Sequence, residues 1–211
     1  AGRVVVVVPQ GAQAGEEAEG RVHGVAVLLG QHRRSVAVGV ELLLPRRDHV
    51  ARLADGSLVN RYWDPCGTPR DESWREDVTT AAASARPAEQ VYRELRAGAE
   101  SGWDFSSRWL GGPSLSSIRT TAIAPVDLNA FLFGLESAIA ASSEGEDAQA
   151  YGQLARDRRA TMQRHFWNAN GGFFTDYDLE LEAPRHGSSA AALTPLLVGL
   201  ATQAQADATA Q

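Results

Sequence analysis

The chain has 211 residues, a mass of 22.6 kDa, a net charge of −6 and 44% hydrophobic residues, enough to bury one good core. All 20 of its basic residues are Arg and they lie scattered, so no basic stripe invites nucleic acid. The single Cys66 excludes an internal disulfide and a Cys-based zinc site, and no apolar run reaches the length of a membrane span.

Composition changes near residue 50. Residues 1–50 are rich in Val, Gly, Arg and Glu and hold no aromatic residue. The five valines at 4–8 are too few for a secretory core. With no targeting segment in view, the compartment is not indicated. Residues 11–20 read as a loop or a disordered segment. Periodicity leaves 22–29 and 35–44 undecided between short strands and a helix. From Arg52 onward Trp and Tyr appear, and turn residues punctuate helical segments.

Pro87 marks a helix start, where its missing N–H is tolerated, and Val91, Leu95 and Ala99 then share one face. A second helix opens at Pro125, with Asp127 in its first turn, where an anion suits the helix dipole. Leu128, Phe131, Leu132, Leu135 and Ile139 form its expected buried stripe. A third runs over 146–167 with Leu154, Met162 and Phe166 inward, ended by Gly171 and Gly172. Residues 173–179 alternate enough for a short strand or hairpin arm. A fourth helix is expected over 188–203, with Leu193, Leu196, Leu197 and Leu200 on one side. The polar tail 203–211 stops without a cap. Several amphipathic helices joined by long, aromatic-rich loops predict an all-α architecture, and such loops suit a helical toroid, where they form the mouth of a central cleft.

Within those loops, residues 101–109 (SGWDFSSRW) carry the strongest chemical signal. Asp104 stands between Trp103 and Phe105, and an apolar, aromatic-walled pocket favours the protonated form of a carboxyl. Indole rings also stack on the C–H faces of sugars. A protonated acid walled by Trp is what breaking a glycosidic bond requires. The alternative on these residues alone is a helix-to-loop junction with core aromatics and a capping Asp. Trp103 and Trp109 read as platforms, and Trp63, Trp74 and Trp167 equally as core. Glu76 and Asp77 read as structural or cap residues, Asp127 as a helix cap, and Asp176 and Asp178 as parts of a packing loop. The five His residues show no ligand spacing, so no metal is expected.

Further motifs stand in order along the chain: residues 55–64 (DGSLVNRYWD), 68–77 (TPRDESWRED), 99–109 (AESGWDFSSRW), 119–121 (RTT), 125–130 (PVDLNA), 166–168 (FWN) and 172–178 (GFFTDYD). Together they resemble the trehalases, inverting glycoside hydrolases that split α,α-trehalose into two glucoses. The resemblance implies a partial (α/α)6 toroid, an incomplete helical barrel preceded by an irregular segment over 1–50, with the toroid domain over 51–211. It implies Asp104 as general acid, Arg70 and Glu72 as sugar-binding residues, Gly102 where backbone meets the sugar, and Trp103 at the sugar face. It implies no metal or cofactor, a disaccharide substrate, no nucleic acid and no membrane span, and a monomer when complete. An Arg–Glu pair can hold vicinal hydroxyls by paired hydrogen bonds, and a Gly permits close backbone approach.

The departures from the family pattern carry expectations too. Asp71 stands where the family has Pro, an added carboxylate able to draw Arg70 off the sugar. The family's base, a Glu far downstream of the acid, has no counterpart here, so the chain reads as a central fragment, inactive alone and open, with apolar helix faces prone to aggregation. Residues 1–50 do not resemble the family segment expected there, and a frame error upstream of His49 accounts for their texture. Two other functional readings stand beside the trehalase: another α-toroid glycosidase, and a non-catalytic remnant with weak sugar binding.

Overall fold

The computed structural model describes residues 47–210, so the segments 1–20, 22–29 and 35–44 discussed above lie outside the described residues. Strand β1 (Val50–Arg52) pairs antiparallel with β2 (Leu58–Asn60). The connecting turn closes by Gly56 N–H donating to Leu53 O at 2.9 Å, with Gly56 at φ 86°, a conformation that favours glycine.

Helix α1 (Trp74–Ala82) is not expected from periodicity. The reason lies in its surface: Asp77 and Ala81 alone are buried, while Trp74 and Val78 are exposed, so it carries no apolar stripe to read. Helix α2 (Ala88–Glu100) begins after Pro87 as expected and buries Val91 and Leu95, with Ala99 half-buried. Glu94 on this helix accepts hydrogen bonds from the Thr121 N–H and hydroxyl, both at 2.7 Å. Burial pushes its carboxyl above the ordinary Glu range, with those two bonds and the charge of Arg86 opposing. A carboxyl raised on folding stabilises the fold fully below the ordinary Glu pKa and loses that contribution as pH rises through the raised value. Glu94→Gln is therefore expected to gain on the native chain in urea midpoint between about pH 4 and about pH 7. A gap between the two midpoints that does not change with pH would refute this.

Strand β3 (Ile123–Ala124) leads through Pro125 into α3 (Val126–Ser142), and α4 (Gly145–His165) follows after two residues, so the two pack as a helical hairpin. The expected stripe on α3 is only partly right. Leu132 and Ile139 are buried and Leu128 and Leu135 half-buried, but Phe131 is 54% exposed. Asp127, Asn129 and Glu136 are buried instead, each with polar partners, which rotates the inward face. Arg158 on α4 donates from Nε to Glu136 and from Nη1 to Asn60 and Asn129, tying α4 to α3 and β2. On α4, Met162 and the following Phe166 are buried as expected, whereas Leu154 is exposed and Tyr151 and Ala155 are buried.

Strand β4 (Trp167–Asn168) pairs with β5 (Phe173–Phe174) across Gly171 and Gly172, and β6 (Tyr177–Asp178) lies between β3 and β7 (Ala183–Pro184). The single helix expected over 188–203 is broken into a 3-10 turn (Ala190–Leu193), the one-turn α5 (Thr194–Leu197) and α6 (Gln203–Thr209). Pro195 lies in the first turn of α5, and Gly199 at φ 70° ends the segment. Leu200 is buried and Leu196 half-buried, but Leu193 and Leu197 face solvent. Thr202 and Gln205 form a capping box at the start of α6.

The strands are two or three residues long, so helices carry the fold. Buried side chains form two clusters, one around Met162, Phe166 and Phe174 and the other around Val91, Leu95 and Trp109, with Trp103 packed against both. No helix among the described residues is long and apolar enough to cross a membrane.

Candidate active site

The loop bearing Asp104 starts where α2 must stop. The N–H groups of Ser101 and Gly102 donate to the carbonyls of Gly98 and Ala99, both at 3.2 Å, and Gly102 takes φ 72°. That left-handed residue turns the chain out of the helix without a side-chain penalty. The loop then closes on itself. Trp103 O accepts from the Ser106 N–H at 2.6 Å and from Trp109 Nε1 at 3.1 Å, while Ser101 Oγ accepts from the Trp103 N–H at 3.0 Å.

Both rings beside Asp104 are committed inward. Trp103 is half-buried between the two core clusters, and Phe105 packs against Gly98, where an added Cβ would come within 3.0 Å of the ring. Asp104 itself is exposed. The expected aromatic enclosure of this carboxyl is thus not met among the described residues: core packing takes its neighbours' rings and leaves the acid facing solvent. Trp109, read as a platform, is fully buried, and Trp74, left open between platform and core, is 57% exposed.

Arg70 is brought beside this loop. Its guanidinium carbon lies 5.0 Å from the centre of the Phe105 ring. Its Nε and Nη2 donate to Asp77 at 3.0 and 2.7 Å, and its backbone N–H donates to the same carboxylate at 2.9 Å. The bonds to Asp77 hold the guanidinium above the ordinary Arg range; burial opposes them, and the charges of Asp77, Glu72 and Asp104 reinforce them. Arg70, Glu72 and Asp104 therefore share one electrostatic neighbourhood, with Glu72 exposed. The carboxylate that engages Arg70 is Asp77, not the neighbouring Asp71, which is exposed at the start of a 3-10 turn.

Beyond Ser106 and Ser107 an open cleft of about 390 Å³ is lined by Arg108, Asp176, Asp178, Arg185 and His186 among others. Arg108 is not singled out by the sequence, yet it makes four side-chain hydrogen bonds to two carboxylates. Its Nη1 and Nη2 donate to Asp127 at 3.1 and 2.9 Å, and its Nε donates to Asp176 at 2.9 Å, with a further Nη2 bond to Asp176. Trp103 and Trp109 flank it, at 5.0 and 4.5 Å from their ring centres. Asp127 makes no side-chain cap on α3; it is buried as a partner of Arg108. Asp176 also accepts from the Val126 N–H at 2.9 Å, and Asp178 pairs with Arg119 and Arg185. The available signal was an Arg inside an aromatic-rich run in a chain with surplus carboxylates downstream. Among the described residues no group of three His, Cys, Asp or Glu side chains is placed to hold a metal ion.

A sequence model of the trehalase family matches residues 33–211. That match begins inside the segment 1–50 that composition set apart. Among solved structures the chain is similar to neutral trehalase Nth1 from Saccharomyces cerevisiae, with a TM-score of 0.55 at 22% identity. The similarity covers 75% of this chain and 34% of that one, so this chain spans about a third of the yeast enzyme's length.

Proposed function

The chain belongs to the trehalase family of glycoside hydrolases and has the fold of a partial helical toroid, and on that premise we propose that it carries the acid half of an inverting trehalose-hydrolysing site. Asp104 donates its proton to the oxygen joining the two glucose units as the bond from that oxygen to the anomeric carbon breaks. Water adds to the opposite face of the same carbon and gives its proton to a second carboxylate, about 6.5–9.5 Å from the first. Two glucose molecules result, one with inverted configuration. Arg70 and Glu72 hold sugar hydroxyls, the Gly102 backbone meets the ring closely, and Trp103 supplies an apolar face. The observation that carries this reading is the position of the Arg70 guanidinium 5.0 Å from the ring of Phe105, the residue after Asp104, although Arg70 and Asp104 lie more than thirty residues apart in sequence.

We assign no residue of this chain as the base. The 211-residue polypeptide is therefore expected to bind trehalose weakly without releasing glucose. The exposure of Asp104 supports the same outcome, because an acid open to solvent is not enclosed around a glycosidic oxygen. This also favours the remnant reading for the chain on its own. Titration calorimetry with trehalose, and with maltose for comparison, is paired with an assay for released glucose. Glucose release by the isolated chain, lost on Asp104→Asn, would overturn the predicted inactivity. Binding of maltose but not trehalose would overturn the substrate.

A further inference from the structure

Arg70 and Asp77 are seven residues apart, and the chain turns between them through the 3-10 turn Asp71–Ser73 into α1. Asp77 is 1% exposed, and both of its oxygens are spent on Arg70: Oδ2 accepts the backbone N–H at 2.9 Å and Nε at 3.0 Å, and Oδ1 accepts Nη2 at 2.7 Å. This side-on fork leaves the Nε–Nη2 edge of the guanidinium occupied, and its Cζ stands over the Phe105 ring, 5.0 Å from the ring centre. Among the described residues the two hydrogens of Nη1 and the second hydrogen of Nη2 take no acceptor; Arg70 is 9% exposed, and the charges of Glu72 and Asp104 act on it. Two parallel N–H groups on a fixed edge match two adjacent hydroxyl oxygens of a sugar ring.

From this geometry we infer that Asp77 is a positioning residue: it holds the Arg70 guanidinium in the one orientation that offers its free edge to vicinal hydroxyls of a sugar. The inference rests on the reading of Arg70 as a sugar-binding residue. Asp77 touches no substrate and acts through Arg70. A charged neighbour alone would not suffice, since Asp71 is nearer in sequence and takes no bond from the guanidinium.

The test uses the full 211-residue chain labelled with 15N-arginine. The Arg70 Nε–Hε signal is assigned by its loss in Arg70→Lys, and the chain is titrated with trehalose. In Asp77→Asn the Arg70 signal is expected to shift and its guanidinium to rotate faster, while trehalose binding weakens by about tenfold. Asp71→Asn is expected to change neither. If Asp77→Asn loses its dispersed spectrum, Asp77→Glu decides on the same two measurements, because it keeps the charge but displaces the fork. An unchanged Arg70 signal, or an altered signal with unchanged affinity, overturns the inference. A native chain that binds no trehalose overturns the proposed function and the sugar half of this inference together, while the Arg70 signal still reports whether Asp77 orients the guanidinium.

Discussion

Replacing Asp104 by Asn, in a polypeptide that carries this segment together with a second carboxylate and releases glucose from trehalose, is expected to lower kcat by roughly 10²–10⁴-fold, the usual worth of a positioned acid. The change is isosteric and falls on an exposed side chain, so stability should hardly move. In the proposed mechanism the acid acts on the departing oxygen and Arg70 and Glu72 hold the ring, so KM should stay within a few-fold. α-Glucosyl fluoride supplies the control. Its leaving group departs with little help from a proton, so the variant should hydrolyse it at a rate much closer to that of the parent. Equal losses on trehalose and on the fluoride would mean that Asp104 does something other than donate a proton. Full retention of activity on trehalose would remove it from the mechanism.

The largest stability effect is expected at Arg108. Its guanidinium is buried and bridges two carboxylates that are themselves 4% and 5% exposed, Asp127 at the start of α3 and Asp176 between β5 and β6. Burial works against the charged form of Arg108, and the bonds and charges of the two Asp residues more than compensate, so the group is held above the ordinary Arg range. Arg108→Ala leaves two buried carboxylates without their cation, which is expected to destabilise the chain by about 3–5 kcal/mol. It also removes the cation between the Trp103 and Trp109 rings. Arg108→Lys keeps the charge but cannot reproduce four hydrogen bonds from a planar fork, so it should lose less than Ala and still be clearly weaker than the native chain. Adding Asp127→Asn and Asp176→Asn to Arg108→Ala should recover part of the loss, because the penalty comes from unpaired charge rather than from lost volume. Urea denaturation of the four chains decides it. An Arg108→Ala chain within about 1 kcal/mol of the native one would show that the bridge contributes little net stability.

The contrast between Asp104 and Arg108 shows what kinds of information a sequence carries. Helix α2 was legible because Val91 and Leu95 repeat at helical spacing after Pro87. The hairpin of α3 and α4 was legible from Pro125 and from long apolar and amphipathic stretches. Helix α1 was not, because its buried positions are Asp77 and Ala81, and no hydrophobic period marks it. The break after Leu197 was missed for a related reason: the spacing of Leu193, Leu196, Leu197 and Leu200 fits a helix, and the local conformations of Pro195 and Gly199 override it. Phe131 and Leu154 lie outward while paired polar groups, among them Glu136, take part of the inward faces of α3 and α4 beside Leu132, Phe133 and Met162, and hydrophobicity alone ranks such groups as surface.

The order of motifs from residue 55 to 178 determined the family, the helical class and the identity of the candidate acid, because those are properties of residue type and spacing along one chain. Only the folded chain decided which charges meet. Asp77 clasps Arg70, Arg108 bridges Asp127 and Asp176, and Asp104 stays open to water beside two inward-facing rings. Partners across tens of residues are chosen by how helices and loops pack, and the burial that makes an ion pair strong exists only once that packing is complete.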